Sequence, residues 1–176
     1  MMGRTHILVG ISSVWLLALI PNVVTPETLT PLAVCAALGA LLPDLDANRS
    51  TISHLSVAHI QPFAPISSVL SRDWGHRGMT HSLIGLAAFA VLVSPIALFW
   101  SWPIWAVLCL GYVSHLAADA CTRSGIPLHY PNKRRFHLLP LRWRFRTGSL
   151  AEDALTPLVA LLVLLLLLSL LPQPQN

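Results

Sequence analysis

Charge is what this sequence has least of. Of 176 residues, 10% are charged and 55% hydrophobic, against roughly 25% charged in a soluble domain, and the mean hydropathy is +0.67. That scarcity excludes an ordinary water-soluble globule. Acids are the rarer sign, seven Asp plus Glu against eleven Lys plus Arg for a net +4, which excludes an acidic or disordered tail protein and argues against a long nucleic-acid-binding surface. Cysteine is equally sparse. Cys35, Cys109 and Cys121 stand singly in apolar surroundings, with no paired spacing for a disulfide framework or a thiolate zinc site, and read as small buried hydrophobes. No small-x-small cleavage site follows the first apolar run, where Pro21 and Asn22 come next, so Met1 to Ile20 reads as a retained segment rather than a signal peptide.

What the chain has in abundance is apolar runs. A spanning helix needs about 20 apolar residues, and shorter runs tend to be re-entrant or packed inside protein. Ala154 to Leu171 is uncharged and nearly all Leu, Val and Ala, and is the clearest span. Leu83 to Trp100 and Trp102 to Ala118 follow, joined by the corner Ser101-Trp102-Pro103, where the tryptophans suit the headgroup level. Ile7 to Ile20 and Leu29 to Leu42 are short for full spans; they cross a thinned site or form a re-entrant hairpin, and either option returns the chain to the same side. The expected fold is therefore an all-α, polytopic membrane helical bundle with about four to five hydrophobic helices. The polar connections 44 to 82 and 119 to 153 are too short for independent cores and are expected to fold as short helices against the bundle, making 1–176 a single membrane-embedded domain.

Positive loops stay preferentially in the cytoplasm. With the N-terminus inside, every Lys and Arg falls on the cytoplasmic face and the opposite face carries only Glu27. All eight histidines and six of the seven acids share that cytoplasmic side. Imidazole with carboxylate suits zinc, iron or manganese.

His115 and Asp119 carry the most information, because an i, i+4 pair lies on one helical face and ionisable groups at a membrane helix end are costly unless paired or ligating. Both a metal site and a hydrogen bond locking two helices satisfy that spacing. In Leu41-Leu-Pro-Asp-Leu-Asp46, an extended pair two apart would point Asp44 and Asp46 the same way; a helix cap is the plainer alternative. His76-Arg77-Gly-Met-Thr-His81-Ser82 precedes an apolar run, with Thr80 or Ser82 as cap. The positive end of that helix attracts anions such as phosphate and should keep its imidazoles neutral and free for metal. His6 sits one turn into the first apolar segment at the same depth. Glu152 enters the last span where the helix dipole favours an acid with or without a function. The stretch Lys133 to Arg146 interleaves cations with Phe136, Trp143 and Phe145, which fits anionic lipid headgroups at about 1 kcal/mol per cation better than any nucleic-acid module.

Taken in order, Arg4-Thr-His6, Leu-Pro-Asp-Leu-Asp, His76-Arg-Gly-Met-Thr-His81-Ser, Gly111-Tyr-Val-Ser-His115 with Asp119 and Thr122, and Thr147-Gly-Ser with Glu152 resemble the YdjM family over about residues 3 to 170. The resemblance implies an inner-membrane, metal-dependent hydrolase, distantly similar to zinc-dependent phospholipase C and P1-type nuclease. Here His115 and Asp119 match the His-x-x-x-Asp element of those enzymes, whereas Gly148 stands where their His-x-x-x-Glu pair would need a histidine.

The expectation is a cytoplasm-facing site with His6, Asp44, His76, His81, His115 and Asp119 holding one or more divalent ions, zinc first, with manganese or iron as substitutes. Metal-assisted hydrolysis of a phosphoester, plausibly a lipid, would use Glu152 or Asp46 as proton acceptor and Arg77 as a bidentate phosphate ligand. The expected partners are the bilayer and anionic phospholipid. The leading alternative is a non-catalytic protein that binds or transports a metal through the same ligands.

Overall fold

The computed structural model describes residues 2–46 and 78–169. The chain enters through α1 (Gly3–Ser12) and α2 (Val14–Ala18), separated at Ser13. The break has a local cause. Ser12 and Ser13 turn their hydroxyls back onto the Val9 and Gly10 carbonyls at 2.6 Å, a back-bonding that bends helices. After a turn, α3 (Pro26–Leu41) starts with a reciprocal cap between Thr25 and Thr28 and Pro26 in its first turn, where a missing N–H costs nothing. A short 3₁₀ helix, Leu42–Asp46, continues it, and the two together make a 21-residue stretch able to cross a membrane. The run read as short, Leu29 to Leu42, is thus longer than its apolar core.

Beyond a second 3₁₀ turn at Met79–His81, α4 (Leu83–Leu92) is capped by the Ser82 hydroxyl on the Gly85 N–H at 3.2 Å. Leu83 to Trp100 was expected as one span; instead α4 stops and α5 (Ser94–Phe99) begins anew. Pro95 removes a helical N–H and crowds the carbonyl four residues back, and the Ser94 hydroxyl takes the Val91 carbonyl at 2.8 Å. α6 (Trp102–Ala120) and α7 (Leu150–Ser169) are full-length apolar helices. With Pro26–Asp46 they are the three stretches among the described residues long and apolar enough to cross a bilayer. The connection between α6 and α7, expected to fold as short helices, is helical only at Leu141–Trp143. It is otherwise held by the isolated pairings Thr122 with Phe145 and Ile126 with Phe136, since Pro127, Pro131 and Pro140 interrupt any longer helix.

Helix packing rests on small residues, as lipid-embedded bundles require when no hydrophobic difference separates tail from side chain. α3 lies in the middle, against α1 and α6. A Cβ on Gly111 would collide with the Ala36 carbonyl, and one on Gly39 with that of Leu108. A Cβ on Gly10 would stand 2.6 Å from Ala40 Cβ. Val14, Leu17, Leu29, Leu32, Ala36 and Val107 fill the core these contacts leave. Along α7 the leucines at 158, 161, 162, 164 and 165 stay exposed, a face made for lipid. The start of α1, the end of α3, the start of α4, the end of α6 and the start of α7 all meet at one end of the bundle, and the polar side chains collect there.

Candidate metal centre

Three elements carry the centre of that polar end. The 3₁₀ helix after α3 supplies Asp44, the turn before α4 supplies His81, and the last turns of α6 supply His115 and Asp119. His81 Nε2 and His115 Nε2 face each other at 3.2 Å. Asp44 Oδ1 lies 3.7 Å from both, and Asp119 Oδ2 lies 3.7 Å from His81 Nε2 and 4.0 Å from His115 Nε2. A tetrahedral ion with bonds of about 2.0–2.2 Å sets its donors ~3.4 Å apart. His81, His115 and Asp119 offer one donor atom each at separations that could hold a metal ion, and Asp44 Oδ1 stands at a similar distance from both imidazoles.

The far side of each ring supports the same reading. His115 Nδ1 is 2.6 Å from the Ala40 carbonyl; a carbonyl only accepts, so Nδ1 carries the hydrogen and Nε2 keeps its lone pair. His81 Nδ1 lies 3.4 Å from Asp46 Oδ2, the carboxylate behind the imidazole that typically fixes a ligating histidine. Asp46 is itself held by the Thr80 hydroxyl at 2.5 Å and the Gly78 N–H at 3.4 Å. Tyr112 donates to the Thr80 carbonyl at 2.5 Å, tying this turn to α6. Leu42–Asp46 is 3₁₀ rather than extended, and Asp44 approaches His81 Nε2 while Asp46 approaches Nδ1. The two carboxylates still come together: an oxygen of each and a nitrogen of His81 lie within 4.8 Å of one another, a further group of donors able to hold an ion.

His81 departs from the neutral state expected at a helix start. Burial opposes its charge, but hydrogen bonds to Asp44 and Asp46 and the charges of Asp46 and Asp119 outweigh that cost, and its pKa is pushed up to about 9. At neutral pH the metal-free ring holds a proton among the carboxylates that an arriving cation must displace.

His6 completes the cluster from α1. Its ring stacks on His115 with centroids 3.7 Å apart, its Nε2 meets Asp119 Oδ1 at 3.3 Å, and its buried Nδ1 has no hydrogen-bond partner. An unpaired buried nitrogen costs about 1–3 kcal/mol, a cost that ligation removes. With Asp44 and His115 it forms a second, overlapping group of donors able to hold an ion. Asp44 is partly exposed while the other members are buried, so the cluster opens on its side.

Glu152 is buried but differently employed. Its Oε1 accepts from the Met2 N–H at 2.7 Å and the Thr5 hydroxyl at 3.0 Å, and its Oε2 accepts from the Gly148 N–H at 2.9 Å. Gly148 presents that N–H from a turn at φ +72°. The acid caps α7 and clamps it to the start of α1, beside His6. The signal was in the sequence: Ser149-x-x-Glu152 has the pattern of a capping box, of which the Ser149 hydroxyl accepting from the Glu152 N–H at 3.4 Å forms one half, while the carboxylate takes the N–H of Gly148 rather than that of Ser149. Arg4 pairs with Asp153 across the same joint. Thr80, read as one of two candidate helix caps, leaves that role to Ser82 and holds Asp46 instead; Thr5 and the Ala40 carbonyl are the site's unforeseen supports, and neither carries a charge that spacing could flag. His76 and Arg77 lie outside the described residues.

The YdjM family model, described as YdjM inner membrane protein, matches residues 1–174. The inner membrane protein YdjM of Escherichia coli (strain K12) and that of Shigella flexneri are each 40% identical over 123 residues, 67% of this chain and 54% of theirs. The chain thus spans about half the length of these two relatives. The uncharacterized protein YvsG of Bacillus subtilis (strain 168) is 35% identical over 153 residues, 87% of this chain and 86% of its own. No solved structure matches. With the family pattern running through nearly every residue, and apolar helices long enough to cross a bilayer, the chain belongs to the YdjM family of inner membrane proteins.

Proposed function

We propose that this chain is a metal-dependent hydrolase of phosphoesters working at the cytoplasmic face of the inner membrane. One observation carries the reading: two histidine Nε2 atoms 3.2 Å apart, each ring secured from behind, facing two carboxylate oxygens at 3.7 to 4.0 Å. His81, His115, Asp44 and Asp119 would hold a divalent ion, with zinc the best match to an imidazole and carboxylate set, and His6 the adjoining ligand. Bound there, such an ion supplies Lewis acidity for attack of water on a phosphoester. The protein's own part is positional. Asp46 and the Ala40 carbonyl fix the two rings, Glu152 and Thr5 fix the helix that carries His6, and Asp44 faces the opening through which a headgroup arrives. We assign Asp46 and Glu152 to holding rather than to accepting a proton, because their oxygens already take structural hydrogen bonds. Arg77 is the proposed phosphate ligand.

The cytoplasmic orientation draws on charge. All Lys and Arg among the described residues lie on the site end, on α1 or in the connection before α7, while Glu27 lies at the other end. In that connection Leu138, Leu141 and Trp143 are exposed among Lys133, Arg134, Arg135, Arg142, Arg144 and Arg146, a surface suited to anionic headgroups.

The test is metal content of the detergent-purified chain by inductively coupled plasma mass spectrometry, beside a His115→Ala, Asp119→Ala double variant. About one ion or more per chain, lost in the double variant, together with hydrolysis of a phosphodiester, is the expected result. Metal without hydrolysis of any phosphoester leaves a metal-binding protein, and no metal after reconstitution ends the hydrolase reading.

A further inference from the structure

His115 has two imidazole neighbours, and they meet it in different ways. The His81 ring stands edge-on to it, at 67° with the two Nε2 atoms 3.2 Å apart, so both lone pairs can converge on one point. The His6 ring instead stacks on it, the centroids 3.7 Å apart and the planes within 15° of parallel. An imidazole lone pair lies in the plane of its ring, and an ion bound at about 2.0–2.1 Å stays close to that plane. Separation alone would let His6 and His115 share an ion, but such an ion would lie about half the stacking distance, ~1.8 Å, out of each plane. Direction gives the two stacked rings an ion each.

Asp119 is shaped for the place between them. Its Oδ1 lies 3.3 Å from His6 Nε2, while its Oδ2 lies 3.7 Å from His81 Nε2 and 4.0 Å from His115 Nε2, so the carboxylate turns one oxygen to each side. Asp44 reaches both sides, at 3.7 Å from the Nε2 atoms of His81 and His115 and in one group of donors with His6. His115 serves one side only, because its Nδ1 hydrogen is committed to the Ala40 carbonyl at 2.6 Å. We propose that the cluster is a two-ion centre, in which His81, His115 and Asp119 Oδ2 hold one divalent cation and His6 and Asp119 Oδ1 hold a second beside it. Paired ions in hydrolytic sites stand about 3.5–4 Å apart, and the two rings are stacked at that spacing. The inference rests on the reading of the cluster as a metal site and adds its nuclearity. Two divalent cations carry more charge than Asp44 and Asp119 cancel, so the ligand they share is an anion with two oxygens to offer, as a phosphoryl group has.

The full detergent-purified chain, stripped with a chelator and reloaded with manganese(II), tests this by metal content and electron paramagnetic resonance. It should take up about two ions per chain, and their spins should couple, leaving the six-line signal of isolated manganese weak for the amount bound. His6→Phe, which keeps a ring stacked on His115 but offers no nitrogen, should halve the metal content and restore the isolated signal. His6→Ala serves should that variant fail to fold, and coupling in the unaltered chain needs no variant. One ion with an isolated signal overturns the second site and leaves a one-ion hydrolase standing. Two uncoupled ions put the second elsewhere on the chain and overturn it equally. Two coupled ions in a chain that cleaves no phosphoester keep the centre and fail the hydrolase reading, so the two can be told apart.

Discussion

His81 has a different carboxylate on each side of its ring, Asp46 at Nδ1 and Asp44 and Asp119 toward Nε2, and its behaviour follows from that arrangement. Its folded pKa of about 9 stands above the ordinary ~6.5 of an unfolded imidazole. A raised pKa means that the folded chain binds the proton more tightly. The associated stability is complete below pH ~6.5 and fades as pH rises toward about 9. Thermal melts of chelator-treated protein should therefore fall in midpoint across that window. Metal uptake has the opposite sign, since ligation needs Nε2 without its proton. Zinc affinity measured by competition with a chromophoric chelator should rise with pH up to about 9, and binding at pH 7 should release about one proton from His81 to the buffer. Asp46→Asn keeps the shape behind the ring but weakens its grip, and should cost roughly 10–100-fold in metal affinity, with the fold retained by circular dichroism.

At the scale of elements, the site depends on how closely α3 and α6 approach. Ala36, Gly39 and Ala40 on one helix meet Leu108 and Gly111 on the other with no room for an added methyl. His115 lies one turn beyond Gly111, and its Nδ1 reaches the Ala40 carbonyl only because the backbones touch. Gly111→Ala should cost about 1–3 kcal/mol through overpacking, read as a lowered detergent-phase melting temperature. It should also lower metal content, since the shift separates His115 from Asp44. Element boundaries were the least legible part of the sequence. Apolar runs located α6 and α7 well, but hydropathy does not register Ser12 and Ser13 bending the first helix or Pro95 dividing the third run. Nor does alternation reveal that Leu42–Asp46 winds as 3₁₀, which sets Asp46 against His81 Nδ1 as well as beside Asp44.

Across the whole molecule, the polar and apolar halves of the chain separate by depth. Among the described residues, the positive connection before α7 and the candidate centre share one end, and the Thr25 turn and the Ser101 corner share the other. On the orientation proposed from charge, a cysteine placed at Ser101 in a chain whose native cysteines are replaced should react with an impermeant maleimide in right-side-out vesicles. One placed at Ser124 should react only in inverted vesicles. The reverse pattern overturns the orientation.

The sequence by itself determined the membrane class, the all-helical architecture and, among the described residues, the gathering of His, Asp and cation at one end, because hydropathy and charge act on each segment before any tertiary contact forms. It also named His6, Asp44, His81, His115 and Asp119, since polar groups at a membrane border need a partner wherever they fall. Tertiary structure alone decided which atoms meet. Only the close packing of α3 on α6 sets the Ala40 carbonyl behind His115, only the 3₁₀ turn brings Asp44 and Asp46 to different nitrogens of His81, and only the joint between α1 and α7 makes Glu152 a clamp. Those outcomes depend on distances of an ångström between segments up to 150 residues apart, and neither spacing nor composition records them.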